Sequence, residues 1–132
     1  MMATLGAVLE RVAPGEVDVT LAFRSGLTQQ HGFLHAGVVT AVMDSACGYA
    51  ALSLMDPGVA VLSVEFKVQL LAPARGLWFR ALGRVVRGGR TLTVVAGELW
   101  SYEREDAVSD GKLVALLTGT MMAVRDRPEL RD

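Results

Sequence analysis

The sequence predicts an α+β fold in which an antiparallel sheet of about five to six strands wraps one long central helix. Three observations predict it. The stretch from His35 to Leu54 is long, apolar and free of proline, and its apolar residues recur at three- and four-residue steps, the period of a helix. The runs on either side are rich in β-branched and other apolar residues, which fit a pleated, half-buried surface. Their connections are short, and strands joined that way pair antiparallel. One helix and one such sheet can bury each other's apolar faces.

Taken in order, residues 4–12 and 17–23 flank Pro14-Gly15 and predict a first hairpin. The polar stretch 24–34 is a loop that delivers the chain to the helix. The helix is expected over 35–54, buried almost all round, and ends near Met55 before the turn Asp56-Pro57-Gly58. Strand 61–71 comes next. From Leu62 to Leu70 it alternates strictly, with Val64, Phe66 and Val68 on one face and Ser63, Glu65, Lys67 and Gln69 on the other. Ala72-Pro73-Ala74 ends it. Strand 77–86 leads into Arg87-Gly88-Gly89-Arg90, read as a two-residue turn with positive φ at both glycines. Strand 91–102 returns, a polar segment spans 103–111, and the last strand covers 112–124. The charged tail from about residue 125 is expected to fray. Residues 1–132 read as one domain without repeats or linkers.

Composition removes several function classes. A chain of 132 residues can bury a core without disulfides or metal. Thirteen basic against fourteen acidic residues give a net charge of −1, which offers no basic surface for nucleic acid. Cys47 is the lone cysteine, and His31 and His35 lie in no HExxH pattern, so neither a disulfide nor a metal is expected. The N-terminal MMATLGAVLERV has no basic region before its apolar run and reaches Glu10 early, unlike a signal peptide. The helix has the length of a bilayer span, but Thr40, Asp44, Ser45 and Gly48 interrupt it. No membrane role is expected, and the expected location is the cytoplasm.

Function enters through Asp44. A carboxylate in the middle of an apolar helix is costly unless something pairs with it or uses it. Gly37, Ala41, Asp44, Gly48 and Ala51 follow one another at helical spacing. That stripe lets another backbone or a ligand come close, while Val38, Val42, Tyr49 and Leu52 on the opposite face read as core.

At these residues the sequence resembles the hotdog-fold acyl-coenzyme A thioesterases, and most of all their phenylacetic acid degradation (PaaI-type) branch. HGFLHAGVVTAVMDSACGYAA at 31–51 is similar to that family's helix entry, an HGG motif followed within the helix by an Asp or Glu. SVEFKVQLLAPA at 63–74, the Gly89-Arg90 hairpin and DGKLVALLTGT at 110–120 extend the likeness over nearly the whole chain. The resemblance implies a hotdog fold and hydrolysis of an acyl-coenzyme A thioester to free acid and coenzyme A. It makes Asp44 the nucleophile or the general base. The backbone N–H of Ala36, beside Gly37 and after His35, would hold the thioester carbonyl oxygen. Gln29, or Gln30 if the loop is read one residue differently, and Ser63 complete the site. One departure is visible. The family's HGG is His35-Ala36-Gly37 here. Alanine suffices if the position lends only its N–H, and fails if it must adopt a conformation open to glycine alone.

Residue 36 opens the helix, where backbone N–H groups lack helical partners and the helix field favours negative charge. Asp44 lies eight residues further along, about 12 Å by helical rise. One helix therefore cannot serve both ends of one carbonyl. A two-fold dimer repairs this, with Ala36 of one chain facing Asp44 of the other. The resemblance implies the same homodimer, and beyond it a dimer of dimers. Arg87 and Arg90 flank the hairpin tip at Gly89, where they are candidates to grip coenzyme A phosphates. No cofactor is expected apart from the coenzyme A of the substrate.

Two rival readings stay open. A non-catalytic acyl-coenzyme A-binding module would share the fold, though regulators of that kind add a DNA-binding domain for which 132 residues leave no room. A hotdog enoyl-coenzyme A hydratase pairs an Asp and a His about five positions apart, and Asp44 has no His at that spacing. The acyl group is not specified: aryl, phenylacetyl and medium-chain thioesters all fit.

Overall fold

A computed structural model describes residues 1–105, 109–127 and 129. It contains β1 (Ala7–Ala13), β2 (Glu16–Ala22), β3 (Ala60–Leu70), β4 (Trp78–Gly88), β5 (Leu92–Tyr102) and β6 (Lys112–Val124), with a short helix α1 (Met2–Leu5) and a long one, α2 (Ala36–Leu52). The strands make one antiparallel sheet in the order β1-β2-β4-β5-β6-β3. β2 lies beside one edge and β3 forms the other. The chain between them must cross the sheet, and α2 makes that crossing on one face. This is the hotdog arrangement of helix and sheet that the sequence predicts.

The core lies between α2 and the sheet. Val39, Val42, Met43, Ala46, Cys47 and Ala50 of the helix are buried against Val19, Leu21, Phe79, Val95, Leu99 and Leu117. Two strand glycines let the backbones approach closely. A Cβ at Gly83 would lie 2.4 Å from the Ala46 carbonyl oxygen, and one at Gly97 would lie 2.9 Å from Cys47 Sγ. The small side chains of Ala46 and Cys47 thus match bare strand backbone, and this contact fixes the helix height over the sheet.

Several expectations change. The helix is not buried all round: Gly37 is exposed, and Ala41, Asp44 and Gly48 are half-buried. Val38, Tyr49 and Leu52, read as core, are also half-buried. The buried stripe is the one that meets Gly83 and Gly97. Residues 4 and 5, expected to open the first strand, belong to the helical turn Met2–Leu5, and Gly6, at φ 67°, ends that turn in the left-handed conformation. The β4–β5 connection is Gly89, Arg90 and Thr91, and neither Gly88 nor Gly89 has positive φ. Gly89 is needed for a different reason: a Cβ there would meet the Leu92 carbonyl oxygen at 2.5 Å. The strict alternation of β3 also fails. Ser63 pairs with Met121 and Glu65 with Thr120, so Val64 is an extra residue in a bulge. The predicted polar segment 103–111 and the charged tail lie partly outside the described residues.

Candidate active site

The acid sits in a cleft on the half-buried side of α2. The bulge at Val64 rotates Ser63 onto the helix-facing side of β3, away from the face that carries Glu65. There Ser63 Oγ donates a hydrogen bond of 2.6 Å to Asp44 Oδ1. A bond that short to a carboxylate is charge-assisted and orients the group. Met121 Sδ lies 3.4 Å from the same hydroxyl. Asp44, Gly48 and Tyr49 of the helix, Val61 and Ser63 of β3, and Met121 of β6 line a cleft of about 390 Å³. Met1, Met2 and Ala3 close one side of it.

The start of α2 is built for a different task. His35 is the N-cap, with extended backbone at φ −64° and ψ 140°. Its Nδ1 accepts the Gly37 N–H at 2.9 Å, and its carbonyl accepts the N–H groups of Val38 and Val39. His35 is therefore a capping residue. The cap leaves one donor over: the Ala36 N–H has no hydrogen-bond partner among the described residues. Ala36 takes ordinary helical backbone, since the non-glycine residues with positive φ are Asp110 and Asp126. An alanine here lends its N–H as a glycine would.

Ala36 lines a second, mostly apolar pocket of about 460 Å³, with Gln29, Phe33, Val39, the Leu70–Ala74 segment and Val114. Gln29 Oε1 accepts the His31 backbone N–H, which holds the carboxamide and leaves its NH2 donors. Gln30 and His31 are exposed and do not line this pocket. Within one chain, then, the donors Ala36 and Gln29 belong to one pocket, and Asp44 with Ser63 belongs to another. Arg87, Gly89 and Arg90 are exposed at the β4–β5 turn and line neither.

Cys47, one turn beyond Asp44, is buried. Burial, with the Asp44 carboxylate second, pushes its thiol up to about 12. It remains a thiol near neutral pH and is no nucleophile there. Among the described residues no group of three His, Cys, Asp or Glu side chains is placed to hold a metal ion. Nor is any described helix long and apolar enough to cross a membrane.

Sequence reasoning missed the bulge, the Met121 and Val61 walls and the N-terminal residues of the Asp44 cleft. The Leu70–Ala74 lining carried a signal, since Ala72-Pro73-Ala74 breaks the strand beside the helix start.

Comparison with known proteins bears on the fold and the family. The sequence model of the Thioesterase superfamily matches residues 31–108. A thioesterase family protein from Silicibacter pomeroyi, known as a crystal structure, is 48% identical over 93% of this chain and 88% of that one, with a TM-score of 0.87. A candidate esterase of Saccharolobus solfataricus is 30% identical over 89% of this chain and 78% of its own length. The PaaI protein of the E. coli phenylacetic acid degradation operon is 22% identical, covers 93% of this chain and 83% of its own, and superposes with a TM-score of 0.81. At that identity it shows the fold alone.

Proposed function

Because the chain belongs to the thioesterase superfamily of hydrolases, we propose that it hydrolyses acyl-coenzyme A thioesters at sites shared by two copies of itself, in the manner of the PaaI-type branch. The observation that carries this is the split of the machinery between two pockets. The unpaired Ala36 N–H and Gln29 line one, and the Asp44–Ser63 pair lines the other. Hydrolysis needs both within bonding distance of one carbonyl.

A second copy supplies the missing half. β3 is an edge strand, and its edge is apolar: Val64 is 54% and Phe66 42% exposed, and Leu70 and Leu71 are exposed as well. An unpaired edge of that kind invites another strand. Antiparallel pairing of two β3 strands about a two-fold axis brings the Ser63 end of one toward the Leu70 end of the other. The Asp44 cleft then meets the Ala36 pocket of the partner, and isologous contact makes two sites. In each, the Ala36 N–H and the Gln29 carboxamide polarise the thioester oxygen. Asp44, oriented by Ser63, either attacks the carbonyl carbon or takes a proton from the water that does. As the tetrahedral centre collapses the C=O double bond re-forms, the C–S bond breaks, and coenzyme A leaves as a thiolate that takes up a proton; where Asp44 itself has attacked, water then cleaves the acyl–Asp44 anhydride to free acid and carboxylate. Arg87 and Arg90 are proposed as phosphate contacts, and the cytoplasm as the location where such substrates occur.

Mixed dimers test the reading. An Asp44→Asn chain is combined with an Ala36→Pro chain, since proline removes the N–H. Proline is accepted at a first helical position, and the extended His35 backbone is what a following proline requires. Each parent homodimer should be inactive on a panel of acyl-coenzyme A thioesters. The mixed dimer holds one intact site and one with both lesions, so it should recover about half of the wild-type rate. A folded, demonstrably mixed dimer with no recovery would place both groups on one chain and refute the shared site. A wild-type chain that hydrolyses no member of the panel would refute the activity itself.

A further inference from the structure

We propose that α1 is a fixed wall of the Asp44 cleft and that Met2 sets the size of the acyl group the cleft accepts. The inference rests on the thioesterase reading of that cleft. Met1, Met2 and Ala3 line it together with Asp44 and Ser63, although they lie far from both in sequence. A loosely held segment would carry no such meaning, but this one is anchored at several points. Leu5 is 5% exposed and belongs to the core. Arg24 Nη2 donates to the Thr4 carbonyl at 2.7 Å, and its guanidinium lies 3.4 Å from where a Cβ on Gly6 would sit. Gly6 closes the turn in the left-handed conformation, with its N–H bonded to the Ala3 carbonyl at 3.1 Å. The Leu5 N–H bonds to the Met1 carbonyl at 3.0 Å. The backbone that carries Met2 is thus held from its C-terminal side.

Of the three lining residues, Met2 is the one packed against the core, while Met1 and Ala3 are exposed. Val61 and Met121 on the sheet and Tyr49 on the helix line the same cleft. With Met2 these side chains form the apolar part of a lining that also carries Asp44, Ser45 and Ser63, so an acyl tail laid along them keeps its carbonyl beside the carboxylate. A thioether on an unbranched stem fills such a gap adaptably, and its bulk limits what fits beside it. The polar pantetheine arm gains little from such a wall, so truncation of Met2 should act on the acyl group selectively.

The test is a kcat/KM profile over straight-chain acyl-coenzyme A substrates from acetyl to decanoyl, for wild type, Met2→Ala, Met2→Trp and Arg24→Ala. Met2→Ala should raise the ratio of long-chain to short-chain kcat/KM by about tenfold, the order that one or two methylenes in an apolar pocket supply. Met2→Trp should lower that ratio by a similar factor. Arg24→Ala loosens the anchor and should flatten the profile. A factor equal for all chain lengths, or an unmoved profile in both Met2 variants, overturns the assignment. The Asp44→Asn chain, titrated calorimetrically with the same substrates with and without Met2→Ala, separates the two levels. A Met2-dependent size preference in binding, beside a wild type that hydrolyses nothing, would refute the hydrolytic reading and leave the wall in place.

Discussion

Replacing Asp44 by Asn tests the chemistry with the least disturbance to the fold. The asparagine Oδ1 still accepts the Ser63 hydroxyl, so the 2.6 Å contact survives as a neutral hydrogen bond. What is lost is its charge assistance, about 1 kcal/mol. Against this, a half-buried carboxylate among Gly37, Ala41 and Gly48 no longer needs to be solvated. The two effects oppose, and stability should change by no more than about 1 kcal/mol, or roughly 3–5 °C in Tm for a domain of this size. Activity should respond on another scale. A nucleophile or general base contributes on the order of 10²- to 10⁴-fold, or about 3–5 kcal/mol in the barrier. Coenzyme A release can be followed with a chromogenic disulfide. The protein adds little background, because its one cysteine, Cys47, is buried. A kcat above about a tenth of wild type in a chain with unchanged Tm would show that Asp44 is not the group that does the chemistry.

Three further perturbations probe the surroundings. Gly83→Ala puts a Cβ 2.4 Å from the Ala46 carbonyl oxygen; it should cost about 1–3 kcal/mol in urea unfolding and lower kcat by shifting Asp44, and a cost under about 0.5 kcal/mol would show that the helix has room to move. Burial and the nearby Asp44 push the Cys47 thiol up to about 12 from 9.0, so the folded chain holds that proton more tightly than the unfolded one. This stabilisation is complete below pH 9.0 and is lost as pH rises toward 12, on the order of 4 kcal/mol in all; between about pH 8 and pH 10.5 wild type should lose stability faster than Cys47→Ala, and parallel urea-unfolding curves would contradict the shift. Arg87→Ala and Arg90→Ala should each raise KM severalfold at low salt with kcat nearly constant, an effect that fades as salt rises; an unchanged KM in both would move the phosphate contact elsewhere.

The helix, the strands and the unusual placement of Asp44 were legible because each follows from local pattern. Apolar spacing separates helix from strand, and a lone acid in an apolar run has a cost that can be seen without coordinates. Ser63 was legible only by resemblance. Strict alternation puts it on the face of Glu65, Lys67 and Gln69, and only the pairing of β3 with β6 reveals the bulge that turns it toward Asp44. A bulge is a property of two strands in register, so neither strand's sequence contains it. The same limit hid the contacts of Gly83 and Gly97 with Ala46 and Cys47. The glycines are visible in the strands, but not which backbone approaches them. Residues 2–5 make a single helical turn, too short for any period to show.

The bulge also links the chemistry to the proposed assembly. Edge strands commonly carry bulges that discourage pairing. Here the bulge sits at Val64, close to one end of β3, and leaves 65–70 regular. Pairing between two copies is then confined to that regular stretch, whose midpoint lies between Lys67 and Val68. An antiparallel two-fold pair centred there sets Glu65 of one chain across from Leu70 of the other. Continued past the regular stretch, with Val64 as the extra residue, it brings the Ser63 end of one chain beside the Leu71–Ala72 segment of the other. Ala72 lines the Ala36 pocket, and Ser63 holds Asp44. In the proposed dimer the irregularity that orients the acid would therefore also set the register of the interface, and a register shifted by two residues would move Ser63 away from the partner's Ala36 pocket by about 7 Å. Selection on the site and selection on the dimer would act on the same residues of β3, which accounts for an edge strand that is apolar and unprotected in the single chain.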